Sequence, residues 1–207
     1  MASEILLITN KTDALETSLD IVAEYVTKNY GVKINTASDL GMDRNGNQIF
    51  ARFSPHKMII EICNGLDEHR KRFTIAHEIG HVILHGSFLI NPVSEIDLSI
   101  NNFNDYILDE DAIKRTEIQA NIFAAHLLMP KRIFLIKAVE TAVSLDYKPK
   151  GDYLIYIDEQ PCNLNNFIIL TRQLSFIFNV SRQAIEYHLK SFEGLIKDDR
   201  KYNWRYN

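Results

Sequence analysis

"RFTIAHEIGHVILHG" (residues 72–86) sets three histidines and one glutamate in an apolar background, in a chain that has seven histidines in all. A helix turns about 100° and rises about 1.5 Å per residue, so His77 and His81 differ by about 40° in direction and about 6 Å along the axis. Two imidazoles at that spacing can reach one ion. Zinc suits two neutral imidazoles and an oxygen ligand, with a fourth position left open. Glu78, next in line, offers a carboxylate that can take a proton from water acidified by such an ion and pass it to a leaving amine. Ile75, Ala76, Ile79, Val82, Ile83 and Leu84 surround these polar residues and predict a buried helix. Polar groups left unpaired there are costly, and a metal is one partner that satisfies them.

His85 stands about 80° from His77 but about 12 Å along the axis, too far to share the same ion on a straight helix. It is expected at the helix end before Gly86, or at a rim facing substrate. The longer pattern H-E-x-x-H-x-x-G-x-x-H would recruit a third histidine through a glycine break, but Leu84 occupies the glycine position. The third ligand is therefore sought in "RTEIQANIFAAHLLMP" (residues 115–130). Glu117 and Asn121 lie four apart on one helix face, and Ala120, Ala124 and Ala125 are small enough for another helix to approach closely. Glu117 would complete a His-His-Glu set, with Asn121 orienting a ligand histidine. His126, nine residues beyond Glu117, points about 180° away and is not expected to join.

The rest of the chain frames these two helices. Its 207 residues suffice for one generous domain or a core with an appendage, and 46% hydrophobic with 24% charged residues is ordinary for a globular protein. A net charge of -4 gives no overall footprint for strong nucleic-acid binding. Cys63 and Cys162 form no CxxC pair, which favours a reducing compartment. The opening "MASEILLITNKTD" has no basic region before its short apolar run, and no stretch reaches the roughly 18 apolar residues of a membrane span, so the expected location is the cytoplasm, away from membranes.

Residues 12–30 read as an amphipathic helix stopped by Gly31, and strands are expected around 48–53 and 58–63. The run from Asp43 to Gln48 is better read as a turn than as a calcium loop, because Gly46 is misplaced and no acidic twelfth ligand follows. A helix is expected from Asp67 to His85, then a long surface connection, then a second helix over 111–128 that ends at Pro130. "RIFLIKAVETAV" restarts a helix, residues 144–166 suggest a hairpin or edge strand, and the last third is helical with a break near Asn179 to Ser181.

With "RFTIAHEIGHVILH" and "EIQANIFAAHLLMP" both in view, the chain resembles the ImmA/IrrE family of HExxH metallopeptidases, whose members pair an AHExGHxxLH helix with a downstream ExxANxFAxxLLMP helix. The resemblance is sharp over 70–130 and looser on either side. It implies an α+β, zincin-like core holding a small sheet, an HExxH active-site helix, a glutamate helix and C-terminal helices. His77, His81 and Glu117 would hold Zn2+, and Glu78 would be the catalytic base of a gluzincin-like endopeptidase. The implied substrate is a helix-turn-helix repressor of a mobile element, phage or stress operon.

That core is assigned to residues 1–135, and residues 136–207 to a helical extension packed on it. "LTRQLSFIFNVSRQAIEYHLKSFEGLI" resembles a helix-turn-helix, and relatives carry a similar "VS..A...L..LGLI" tail. Arg172, Arg182, Lys190 and Lys197 could meet phosphates, but Glu186 and Glu193 oppose them, so packing or repressor docking is preferred over direct DNA binding. Tyr106, Tyr153, Tyr156 and His85 are all open as the second group facing an oxyanion. The rival reading is a non-hydrolytic regulatory or toxin–antitoxin-type module whose metal site is structural or vestigial. Glu78 separates the two, since a structural site needs ligands and no base.

Overall fold

The structure, a computed structural model, describes residues 17–43, 46–89, 98–99 and 110–200. These divide into two compact units, one over Thr17–Leu128 and one from Met129 onward. Together they form a mixed α+β protein of six helices and short strands, the fold class anticipated above.

In the first unit, helix α1 spans Leu19–Tyr30 and ends at Gly31, whose φ of 71° suits a residue without a side chain and whose N–H donates to the Thr27 carbonyl. The expected start at residue 12 is not met over the described part, since 17 and 18 precede the helix and 12–16 lie outside the described residues. Thr17 is committed elsewhere. Its Oγ1 donates to the Leu127 carbonyl at 2.6 Å, and its own carbonyl accepts from the Arg72 guanidinium at 3.1 Å, both buried.

Strands β1 (Lys33–Ser38), β2 (Ala51–Ser54), β3 (Ile59–Cys63) and β4 (Leu98–Ser99) form one sheet in the order β1-β3-β2-β4. β1 runs parallel to β3, while β2 is antiparallel to β3 and to β4. Alternation is clear in the central pair: Ala51 and Phe53, Ile60 and Ile62 are buried, with Arg52, Ile59 and Glu61 only partly so. The edge strand β1 has no buried residue, which is why its sequence "KINTAS" carries no apolar signature and was not anticipated. Where a turn was expected, the Asp43 N–H donates to the Asn47 carbonyl at 2.8 Å and the Gly46 N–H to the Asp43 carbonyl at 3.0 Å, while residues 44 and 45 lie outside the described residues.

Helix α2 covers Glu68–Leu89 and helix α3 Glu110–Leu128, packed against one another. α2 runs past Gly86, against expectation. A glycine inside a helix costs about 1 kcal/mol, too little to end it when burial sustains the turns on either side. Most of the connection expected after residue 86, including Tyr106, lies outside the described residues.

The second unit holds α4 (Lys131–Ser144), β5 (Ile155–Ile157), α5 (Pro161–Phe178), α6 (Arg182–Lys190) and β6 (Ile196–Asp198). Of the hairpin or edge strand expected over 144–166, the structure has the edge strand: β5 pairs in parallel with β6, in a two-stranded sheet closed from far along the chain. α5 starts at Pro161, earlier than its apolar run suggests, because proline is well placed in a first turn. The break is where the sequence puts it: Asn179 is left-handed (φ 50°), and Ser181 caps α6 by accepting from the Ala184 N–H at 3.2 Å. His188 is buried in this unit, edge-on to Phe134 and Phe192, and its Nε2–H donates to the Met129 carbonyl at 3.2 Å. Lys190 pairs with Glu186 and Asp198, and Lys197 with Asp199.

Candidate metal centre

The close packing of α2 on α3 rests on Gly80. A Cβ there would come within 3.0 Å of the Phe123 ring and 3.3 Å of the Ala120 backbone, so any larger residue would have to push Phe123 or α3 aside by a few tenths of an ångström. The consequence is chemical. His77 and His81 on α2 face Glu117 on α3, with the two Nε2 atoms 3.0 Å apart, His77 Nε2 3.3 Å from Glu117 Oε2 and His81 Nε2 3.2 Å from Glu117 Oε1. These three side chains are the metal-capable group found among the described residues. His126 is not part of it.

The donor set fits a cation. Ligand atoms about 2.0–2.1 Å from a tetrahedral ion lie about 3.3 Å from one another, close to the separations seen. His77 Nδ1 lies 3.0 Å from Asn121 Oδ1, and an amide oxygen only accepts, so the proton sits on Nδ1 and the Nε2 lone pair is free to face the cluster. Oε1 of Glu117 and Oε1 of Glu78 are buried without an aligned donor. Buried acceptors and bare imidazole nitrogens converging on one point are costly unless a positive charge joins them.

Charge preferences at the site diverge. Burial alone would raise the Glu117 carboxyl, but the two imidazoles beside it pull it down to about 2. For Glu78, burial dominates and lifts the carboxyl to about 7, with Glu117 adding to the rise and His77 opposing it. His81 is lowered, mainly by burial, whereas His77 is raised because Glu117, Glu78 and Asn121 outweigh its own burial.

An HExxH helix against a glutamate helix beside a small sheet is the zincin-like arrangement, and the comparison with known families agrees. The peptidase family model described as the IrrE N-terminal-like domain matches residues 27–190. The chain belongs to this IrrE-like peptidase family. Family membership supports a metallopeptidase-type function, dependent on a metal. Among solved structures, a Mycobacterium tuberculosis transcriptional regulator is similar with a TM-score of 0.54 at 18% identity, over 91% of this chain and 44% of that one. The chain thus spans less than half the length of that protein. No curated protein matches it significantly. Among the described residues no helix is long and apolar enough to cross a membrane.

Within this IrrE-like site, the structure brings His77, His81, Glu117, Glu78 and Asn121 together as the sequence suggested. His85 differs. It is neither at a helix end nor at a rim: α2 continues beyond it, its side chain is buried, and its ring contacts His81 and Gln119. Of the other candidates for an oxyanion group, Tyr106 lies outside the described residues, and Tyr153 and Tyr156 belong to the second unit. Two contributors escaped the sequence reading, Gly80 and Gln119. A mid-helix glycine opposite an alanine-rich helix is a readable sign of close approach, whereas nothing in the sequence marks Gln119.

Proposed function

We propose that this protein is a zinc-dependent endopeptidase that cuts a regulatory protein, a helix-turn-helix repressor, in the cytoplasm. The observation that carries the reading is the pairing of a His77–His81–Glu117 cluster with a buried Glu78 that a purely structural site would not need. In this reading His77, His81 and Glu117 are the ligands, and Asn121 holds His77 in the tautomer that presents Nε2. A divalent ion held there supplies Lewis acidity, which acidifies water and polarises a peptide carbonyl. Glu78 does the proton work. The buried, unpartnered Oε1 is the atom at which a water proton would be received and from which it would pass to the leaving amine.

The substrate class rests on the resemblance to the ImmA/IrrE family and on the family match. The unit over Thr17–Leu128 would carry the catalysis and the unit from Met129 onward would dock the repressor, a boundary that falls before α4 rather than inside it at 135. Where the adjacent gene encodes a small helix-turn-helix repressor, incubating that protein with this chain tests the proposal. Cleavage is expected with zinc, none with a chelator, and a loss of at least about 100-fold with Glu78→Gln. Repressor release that survives Glu78→Gln overturns it.

A further inference from the structure

His85 and Gln119 have no part in the scheme above, yet they stand in one hydrogen-bonded line with His81. His85 Nε2 is 2.9 Å from Gln119 Oε1, His85 Nδ1 is 3.3 Å from His81 Nδ1, and His81 Nε2 faces Glu117 and His77. A neutral imidazole carries a single N–H, so the protons along this line can be placed in turn. An amide oxygen only accepts; His85 therefore holds its proton on Nε2 and leaves Nδ1 bare. Bare Nδ1 must accept, so the proton between the rings belongs to His81 Nδ1. His81 Nε2 is then bare as well, with its lone pair turned to the cluster. Were the Gln119 amide reversed, its NH2 would donate to His85 Nε2, and every proton in the line would shift. His81 would then carry N–H on Nε2, pointing a proton at the place a cation must occupy.

We propose that Gln119 and His85 are positioning residues that set, through two successive hydrogen bonds, which nitrogen of His81 is free to bind a metal. The inference rests on the reading of His81 as a ligand. It also gives the two ligand histidines matching support: Asn121 fixes His77 directly at 3.0 Å, while His81, one turn further along α2, reaches an amide oxygen of the same helix α3 only through an intervening ring. Partners of this kind change metal affinity by about 10–100-fold when removed. The burial of the polar His85 ring, 8% exposed, has a reason on this account.

Competition against a chromophoric zinc chelator tests it with four chains. Wild type is expected to bind one ion. Gln119→Glu, which can only accept, should bind at least as tightly. Gln119→Met, similar in shape with no strong acceptor, should bind about 10–100-fold more weakly. Ile118→Glu, at an exposed neighbouring position, controls for the added negative charge and should match wild type. Nitrogen NMR of the metal-free protein should report His81 protonated at Nδ1 in wild type and Gln119→Glu, and a mixture in Gln119→Met, a change that a merely structural role for Gln119 would not produce. Equal affinities for the Met and Glu variants overturn the proposal. A wild-type chain that binds no ion overturns the metal centre itself, and the two failures are distinguishable because the second is seen before any variant is compared.

Discussion

Glu78 and Glu117 flank the same pair of imidazoles, yet their surroundings drive their charges apart. Glu117 has the two rings to hold it ionised at about 2, while Glu78, fully enclosed, rises to about 7. Divergence of this kind separates a ligand from a proton carrier. Glu78→Gln is therefore expected to keep zinc at wild-type stoichiometry while cleavage falls by about 100-fold to 10,000-fold, measured as turnover of the repressor substrate. Asn121→Leu, which strips the acceptor from His77 Nδ1, should weaken zinc about 10–100-fold by chelator competition, and Asn121→Asp should restore it. Helical spacing alone made His77, His81, Glu78, Glu117 and Asn121 readable, because i to i+4 geometry fixes which side chains share a face. His85 was misread for a physical reason. Spacing correctly denied it a place on the same ion, but a hydrogen bond to His81 on one side and to α3 on the other depends on how two helices meet, and no single-helix argument contains that.

At the scale of elements, the site depends on how closely α2 and α3 approach at Gly80. In Gly80→Ala the added methyl meets the Phe123 ring and the Ala120 backbone. Overpacking of about 1–3 kcal/mol exceeds the helix-propensity gain of about 1 kcal/mol. A net loss of about 1 kcal/mol in urea unfolding is expected, with weaker zinc binding as Glu117 is pushed from the histidines. In the second unit, Asp198 grips the Arg200 guanidinium at 2.6 and 2.7 Å and meets Lys190 at 3.1 Å. Burial would raise its carboxyl, but these cations hold it at about 2, below its unfolded value of about 3.9. A depressed folded pKa contributes stability that is present above about pH 4 and lost as pH falls from there through about 2. The group is partly solvated, so its contribution is about 1 kcal/mol. Asp198→Asn should lower stability at pH 7 by that amount and close the gap to wild type by pH 2, read from melts across the range. Long helices were legible from their 3.6-residue period, and β5 from its β-rich run; β1 and β6 were not, since these short edge strands bury no residue fully and pair with partners far along the chain.

For the molecule as a whole, the five residues of the proposed site all lie within Thr17–Leu128, while the family match runs from 27 to 190 and so takes in most of the second unit too. The α+β class and the HExxH–glutamate pairing were legible because two motifs in order constrain the fold more than either does alone. The sequence reading set the boundary between core and extension at 135, whereas the described residues divide at Leu128/Met129, because compactness depends on long-range contacts. An ion that binds only the folded chain also ties site to stability: at a hundredfold excess over its Kd it adds about 2.7 kcal/mol. The most direct test of the account is the zinc stoichiometry and affinity of three purified chains: wild type, Glu78→Gln and Glu117→Ala. One tightly held ion in wild type and in Glu78→Gln, with loss of tight binding in Glu117→Ala, is the predicted result. Unchanged affinity in Glu117→Ala, or loss of the ion in Glu78→Gln, would contradict it.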